Sequence, residues 1–144
     1  PHPPQVAPPP LTIGAPAEAK VKARMALPAG ADANPDASGR PSPVIVRVYQ
    51  LKTDVGFNSA EFEKLFEDEK QVLGAELISR DEFMLAPAEQ RTLDVVLSGE
   101  TRFVGAIAAF RDIRNAQWRV LLPTPKKALS VAVEKSRIVL SGTE

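Results

Sequence analysis

The sequence predicts a mainly β protein: a two-sheet antiparallel β-sandwich of about eight strands with a short helical insertion. Beyond Gly74, short apolar segments recur at close intervals, and several alternate apolar with polar residues, as strands with one buried face do. A single antiparallel sheet would leave its apolar face in water, so two packed sheets are expected. A chain of 144 residues, 44% of them hydrophobic, is long enough to bury one such core.

Residues 1–16 are predicted to form a Pro-rich N-terminal tether, ahead of a β-sandwich domain over 17–144. The first ten residues read PHPPQVAPPP, a composition that supports neither a helix nor sheet pairing. In extended polyproline geometry ten residues reach about 30 Å, which suits a spacer. A disordered terminus without a role is the alternative.

A first strand is predicted over 17–27, a long loop over 28–43 and a second strand over 44–52. In the first strand apolar residues occupy the odd positions and mostly charged residues the even ones, which indicates a half-exposed strand. The loop is rich in Pro, Gly, Ala, Asn, Asp and Ser; loops of this length are uncommon and often functional, although an ornament without a role is the alternative. The second strand, VIVRVYQLK, is typical of a central strand covered on both faces.

The helical insertion is predicted over 58–74. Asn58 has the chemistry of an N-cap, so a short amphipathic helix is expected from Ser59 to about Asp68, followed by a looser turn through Gly74.

The rest of the chain is predicted to be β-structure. Short links over 98–102 and 134–136 are compatible with hairpins. The strands are expected over 77–86, 91–97, 103–110, 118–122, 128–134 and 137–140.

Composition excludes several kinds of function. Eighteen basic residues balance eighteen acidic ones without a basic cluster, so no nucleic-acid partner is expected. The chain has no Cys, and its one His, His2, lies in the Pro-rich segment, so neither a zinc site nor another cofactor is expected.

No catalytic motif is present in the sequence, which predicts a non-enzymatic protein. Acid–base chemistry by two carboxylates is the weakest of the hypotheses considered, because carboxylates on alternating strands are normally solvated. The carboxylates available to such a hydrolase are Asp54, Asp81, Glu82 and Asp94.

A small-ligand or carbohydrate-binding β-sandwich module is the alternative function, motivated by Tyr49 and Trp118. Trp118 and Arg119 are neighbours in a predicted strand, where their side chains point to opposite faces. We therefore expect Trp118 to fill the core and Arg119 to reach water.

The segment VIVRVYQLKTDVGFNSAEFEKLF, from Val44 to Phe66, resembles the signature of the TssJ family of type VI secretion systems: an Arg-Val-Tyr-Gln-Leu strand, a turn, and a helix with Phe, Leu and Phe. The segment LGAELISRDEFMLAP, the strand containing Val104, and the Trp118-Arg119 pair follow in the family order. The resemblance covers approximately 17–140, and its specificity depends on this joint order.

The resemblance implies a transthyretin-like sandwich in the periplasm, anchored to the inner leaflet of the outer membrane through a lipidated Cys that this chain lacks. It also implies that the protein tethers the periplasmic C-terminal region of TssM to the outer membrane. In the family the long first loop is associated with that contact, and neighbouring loops are expected to join it because an interface of about 800 Å² per partner exceeds one loop. By position alone, the resemblance implies as partner-binding residues Ala31, Asp32, Ala33, Asn34, Pro35, Asp36, Ala37, Ser38, Gly39 and Arg40.

Overall fold

The computed structural model describes residues 20–124 and 127–143, so the predicted tether over 1–16 lies outside the described residues. Eight strands are present within this part of the chain, each within a few residues of its predicted position. They are β1 (Val21–Pro28), β2 (Val44–Leu51), β3 (Leu77–Leu85), β4 (Gln90–Leu97), β5 (Phe103–Ala108), β6 (Arg119–Pro123), β7 (Ala128–Val133) and β8 (Ile138–Thr143).

The strands form two four-stranded sheets packed face to face, which confirms the predicted β-sandwich. Sheet A has the order β4-β1-β7-β8, and sheet B has the order β3-β2-β5-β6. Every pair is antiparallel except β1 and β7, which run parallel. Between the sheets lies the main core, to which β1 contributes Ala23, Met25 and Leu27, three of the odd positions identified by their alternation.

The two short links predicted as hairpins differ in the structure. The link over 134–136 joins β7 to its neighbour β8, as predicted. The link over 98–102 instead joins β4 in sheet A to β5 in sheet B. Its turn is held by the side chain of Gln50, whose Oε1 accepts hydrogen bonds from Ser98 N at 2.9 Å and Thr101 Oγ1 at 2.7 Å.

The helical insertion between β2 and β3 is a set of short helices. They are α1 (Val55–Ser59), α2 (Phe62–Glu67) and α3 (Glu69–Leu73), followed by a 3₁₀ turn over Gly74–Glu76. The insertion thus begins before the predicted 58–74, and the single helix capped by Asn58 is wrong, because Asn58 lies inside α1.

Arg119 explains the break between α1 and α2. Its Nη1 donates hydrogen bonds to Phe57 O at 2.8 Å and to Ala60 O at 2.5 Å, carbonyls that a continuous helix would use internally. The backbone at Ala60 and Glu61 is accordingly extended, with ψ of 148° and 157°. A residue nearly sixty positions away therefore ends the helix.

The short helices cover the outer face of sheet B. A second apolar cluster forms there, and the ring of Phe57 packs so closely on Gly105 of β5 that a Cβ at that glycine would lie 2.7 Å from the ring. Strand β2 is therefore covered on both faces, as predicted. The buried members of this cluster are Tyr49, Leu51, Phe57, Leu65, Leu73 and Ile107.

Trp118 and Arg119 only partly follow the prediction. Trp118 is half-buried and packs against both apolar clusters, with its ring edge-on to that of Phe62 at 5.1 Å. The expectation that Arg119 reaches water is wrong, because its side chain binds the helix carbonyls and its guanidinium lies 4.4 Å from the Trp118 ring. Burial lowers the pKa of Arg119.

Among the described residues, no helix is long and apolar enough to span a bilayer.

Candidate functional site

The long β1–β2 loop over 29–43 lies at one end of the sandwich, together with three other connections. These are the β3–β4 turn (86–89), the β5–β6 connection (109–118) and the β7–β8 turn (134–137), and we call this group the loop end. The helical insertion, the 98–102 link and the start of β1 at Val21 lie at the opposite end, which we call the insertion end. Strand β1 has eight residues, so the two ends are separated by about 26 Å at about 3.3 Å per residue.

Backbone hydrogen bonds fix the base of the β1–β2 loop to its neighbours. They connect the loop with both adjoining turns, so its first residues continue the order of sheet A. The bonds are Ala29 N to Glu89 O at 2.8 Å, Gly30 N to Val133 O at 2.8 Å, Ala88 N to Gly30 O at 3.0 Å and Asn34 N to Lys135 O at 3.0 Å.

Asn34 is the buried centre of the loop, with 2% of its surface exposed. Its Nδ2 donates to Pro43 O at 2.8 Å, and its Oδ1 accepts from Arg111 N at 2.8 Å, which ties the loop to the β5–β6 connection. Ser42 Oγ donates to the carbonyl of Asn34. The backbone of Asn34 has a φ of 53°, a left-handed conformation that Asn tolerates better than most residues.

The tip of the loop, residues 35–40, is organised by Asp36. One carboxylate oxygen, Oδ1, accepts hydrogen bonds from Ser38 N at 2.9 Å, Ser38 Oγ at 2.8 Å and Arg40 N at 2.9 Å. The hydrogen bond from the Ser38 side chain, followed by that from Arg40 N, lowers the pKa of Asp36 from its ordinary value of 3.8. The ionised carboxylate of Asp36 therefore holds the tip as a defined turn.

The structure divides the residues predicted to contact a partner. Two of them, Ala33 and Asn34, are 0% and 2% exposed and hold the loop from inside, so they do not present side chains to a partner. Pro35 and Asp36 are half-buried. The exposed members are Ala31, Asp32, Ala37, Ser38, Gly39 and Arg40.

Two surface depressions flank the loop and include residues that the sequence prediction missed. One, of about 500 Å³, lies between the loop tip and Arg111 and Asp112 of the β5–β6 connection. The other, of about 450 Å³, lies between Asp32 and the 134–137 turn. Arg111 and Asp112 directly follow a predicted strand, but no local pattern in the sequence indicates the contact of Arg111 with Asn34.

The carboxylates considered for hydrolysis are not brought together. Asp81 and Glu82 are exposed neighbours on β3 and point to opposite faces, and Glu82 pairs with Arg47 at 2.8 Å. Asp94 lies in sheet A, 3.6 Å from Arg24. Within 20–124 and 127–143, no group of three or more His, Asp or Glu side chains could hold a metal ion.

The aromatic residues that motivated a ligand-binding alternative do not form a common site. Tyr49 is fully buried, and its hydroxyl donates to Glu69 Oε1 at 2.8 Å. Trp118 borders a shallow depression together with Ala116, Gln117 and Arg119. No second aromatic residue of the described chain lines this depression.

The chain matches the model of one known protein family. The model of the family described as type VI secretion lipoprotein (VasD, EvfM, TssJ) matches residues 21–140. Among curated proteins no significant match is found.

Solved structures are similar over nearly the whole described chain. The type VI secretion lipoprotein TssJ1 from Pseudomonas aeruginosa is 32% identical, with a TM-score of 0.81, covering 85% of this chain and 96% of that one. A chain in a structure described as "Type VI membrane complex" is 27% identical, with a TM-score of 0.75, covering 84% and 98%. A chain in a structure described as the TssM C-terminal domain (869–1107) from EAEC is 27% identical, with a TM-score of 0.71, covering 83% and 97%.

The family match covers both sheets, the helical insertion and the β1–β2 loop, and the similar structures have the same mainly β architecture. The chain therefore belongs to the TssJ family of type VI secretion lipoproteins.

Proposed function

We propose that this chain is a non-enzymatic component of the type VI secretion membrane complex that tethers the periplasmic C-terminal region of TssM to the outer membrane. Two similar chains support the choice of partner, since they come from structures described as a type VI membrane complex and as the TssM C-terminal domain. The family of lipoproteins supports an anchor at a membrane. We place the protein in the periplasm, with the anchor in the inner leaflet of the outer membrane.

The observation that carries the proposal is the braced β1–β2 loop. Its base is bonded to two neighbouring turns, its middle is fixed by buried Asn34, and its tip is closed by Asp36. A loop held in one conformation loses little conformational entropy when a partner binds, which favours affinity. The exposed tip residues are then available for contact without rearrangement.

The rest of the loop end completes the surface. A stable interface buries about 800 Å² on each partner, more than the tip of one loop provides. Arg111 and Asp112 border a depression with the loop tip, and Lys135 borders another with Asp32. Both connections are hydrogen-bonded to Asn34 of the loop, which fixes their arrangement. We assign the β5–β6 connection and the 134–137 turn to the same partner surface.

The position of the first strand is compatible with an N-terminal anchor. Strand β1 begins at Val21 at the insertion end, while the loop lies at the other end. An anchor that precedes Val21 is therefore attached at the insertion end and leaves the loop end accessible to a partner.

Ala37→Arg tests the proposal. Ala37 is exposed at the loop tip and its side chain holds no part of the loop, so a long charged side chain there blocks close approach without unfolding the domain. We expect the affinity for the purified TssM periplasmic C-terminal region, measured by calorimetry, to fall by about tenfold or more. The matched control is Ala75→Arg, at an exposed position of the insertion end.

Unchanged affinity of Ala37→Arg, or equal losses in both variants, would reject the assignment of the loop tip. Deletion of residues 31–39 is a poorer test, because it also removes the buried Asn34. No detectable binding by the unmodified chain would reject TssM as its partner.

A further inference from the structure

The two sheets differ in what covers their outer faces. The helical insertion packs on sheet B, and the second apolar cluster contains residues of the insertion and of sheet B but none of sheet A. In the described chain, the outer face of sheet A has no helix upon it. This face, formed by the outward side chains of β4, β1, β7 and β8, is the sheet A face.

A row of cations lies along the middle of the sheet A face. Alternate residues of β1 point inward to the core, so Lys22 and Arg24 share the outward direction. Lys20 directly precedes the strand, and all three cations are exposed. Strand β1 is flanked by β4 and β7, so the row is not at an edge. Within the four strands of this face the acidic residue is Asp94, whose pair with Arg24 at 3.6 Å is highly exposed, with side chains 74% and 68% accessible.

The remainder of the face carries mostly short side chains. Outward residues of β1, β7 and β8 leave a shallow apolar cleft of about 220 Å³ bordered by Arg24. Val96 of β4, opposite Lys22, is 49% exposed. The short side chains that line the cleft are Ala26, Ala128, Ser130, Ser141, Gly142 and Thr143.

We propose that the sheet A face rests on the anionic phospholipid surface of the membrane to which the chain is anchored. The inference depends on the proposed N-terminal anchor. The cationic row begins at Lys20, the residue through which the chain continues toward its N-terminus, so the anchor and the row act on the same part of the molecule. Phosphate-bearing lipids complement the charge of this row, and the short side chains beside it do not obstruct its approach to a membrane surface.

The anchor makes a weak contact sufficient. A short N-terminal tether keeps the domain at an effective concentration of lipid surface of about millimolar. Basic residues near an anionic leaflet are attracted within a Debye length, which is about 8 Å at physiological salt. Two cations on β1 and a third directly before it are therefore enough to bias the orientation of a tethered domain.

Contact through the sheet A face leaves the partner surface free. The cationic row lies in the half of β1 nearest the insertion end, whereas the β1–β2 loop lies beyond Pro28. The membrane and the TssM region would thus be bound by different parts of the domain.

The test is co-flotation of the 144-residue chain with vesicles at about millimolar lipid, the concentration a tether provides. We expect binding to phosphatidylethanolamine vesicles containing phosphatidylglycerol, weaker binding as salt is raised, and none to phosphatidylcholine vesicles. Lys20→Glu/Lys22→Glu should reduce the bound fraction by about tenfold or more. The control Lys64→Glu/Lys70→Glu lies on the insertion, and each of its substitutions changes the formal charge by −2, as in the test variant. This control should bind anionic vesicles as the unmodified chain does.

If the charge reversal prevents folding, Lys20→Gln/Lys22→Gln replaces it as the test variant. We expect this variant to bind anionic vesicles more weakly than the unmodified chain does. Failure of the unmodified chain to bind anionic vesicles, or equal losses in test and control variants, would overturn the proposal. Loss of TssM binding by Lys20→Glu/Lys22→Glu with vesicle binding unchanged would assign the face to a protein partner and also overturn it. TssM binding by the unmodified chain, measured in parallel, tests the tether function separately.

Discussion

Asn34 joins parts of the chain that are far apart in sequence. Its side chain bonds to Pro43 and to Arg111, and its carbonyl accepts from Ser42, so one residue fixes the middle and the end of the β1–β2 loop and the start of the β5–β6 connection. A side chain without an amide would leave the partly buried Pro43 carbonyl and Arg111 N–H without these partners.

We predict that Asn34→Ala lowers the free energy of unfolding by about 2 kcal/mol, because two partly buried groups lose their hydrogen bonds and Ala tolerates the positive φ less well. Chemical denaturation measures this loss. The control Asn58→Ala, at an exposed position of α1, should change stability by no more than about 0.5 kcal/mol. Equal stabilities of the two variants would contradict the role of Asn34.

At this scale the sequence predicted where the loop is and not which side chains face outward. Low hydrophobicity over 28–43 was sufficient to locate it. The inward direction of Ala33 and Asn34 depends on Pro43, Arg111 and Lys135, and no local pattern encodes these contacts.

Among the elements, the helical insertion depends on a buried polar network at Glu69. Its carboxylate is 9% exposed and accepts from Arg47 Nη1 at 3.0 Å, Arg80 Nε at 2.8 Å and the hydroxyl of Tyr49. Burial raises the pKa of Tyr49, which keeps its hydroxyl protonated as a donor to Glu69. Arg47 also lies 4.0 Å from the Phe66 ring, so the network joins α2 and α3 to β2 and β3.

We predict that Glu69→Gln lowers the free energy of unfolding by about 3 kcal/mol, because removing one charge leaves the buried Arg47 incompletely paired. Urea denaturation provides the measurement. Lys64→Ala breaks only an exposed pair with Asp68 at 3.7 Å and should cost less than about 0.5 kcal/mol. A Glu69→Gln variant as stable as the unmodified chain would show that the network does not hold the insertion.

Strands were predictable from sequence because their periodicity is local, as the inward odd positions of β1 illustrate. The helices were not, since Arg119 takes the carbonyls of Phe57 and Ala60 and so interrupts a segment whose own pattern favours one helix. Likewise the 98–102 link resembled a hairpin, but Gln50 directs it from one sheet to the other.

For the whole molecule, the arrangement separates three surfaces. The loop end carries the proposed partner surface, the sheet A face carries the cationic row, and the helical insertion covers sheet B. The parallel pairing of β1 with β7 contributes to this arrangement, because both strands then run from the insertion end to the loop end. The sequence predicted two sheets, but this pairing, more than one hundred residues apart, required the complete topology.

Hydrogen–deuterium exchange of the chain with and without the TssM periplasmic C-terminal region tests the central claim most directly. If the loop end is the partner surface, complex formation should slow exchange in 30–42, 109–118 and 134–137 and leave 98–102 unchanged. Slower exchange confined to 98–102 or the helical insertion, with the β1–β2 loop unaffected, would contradict the account.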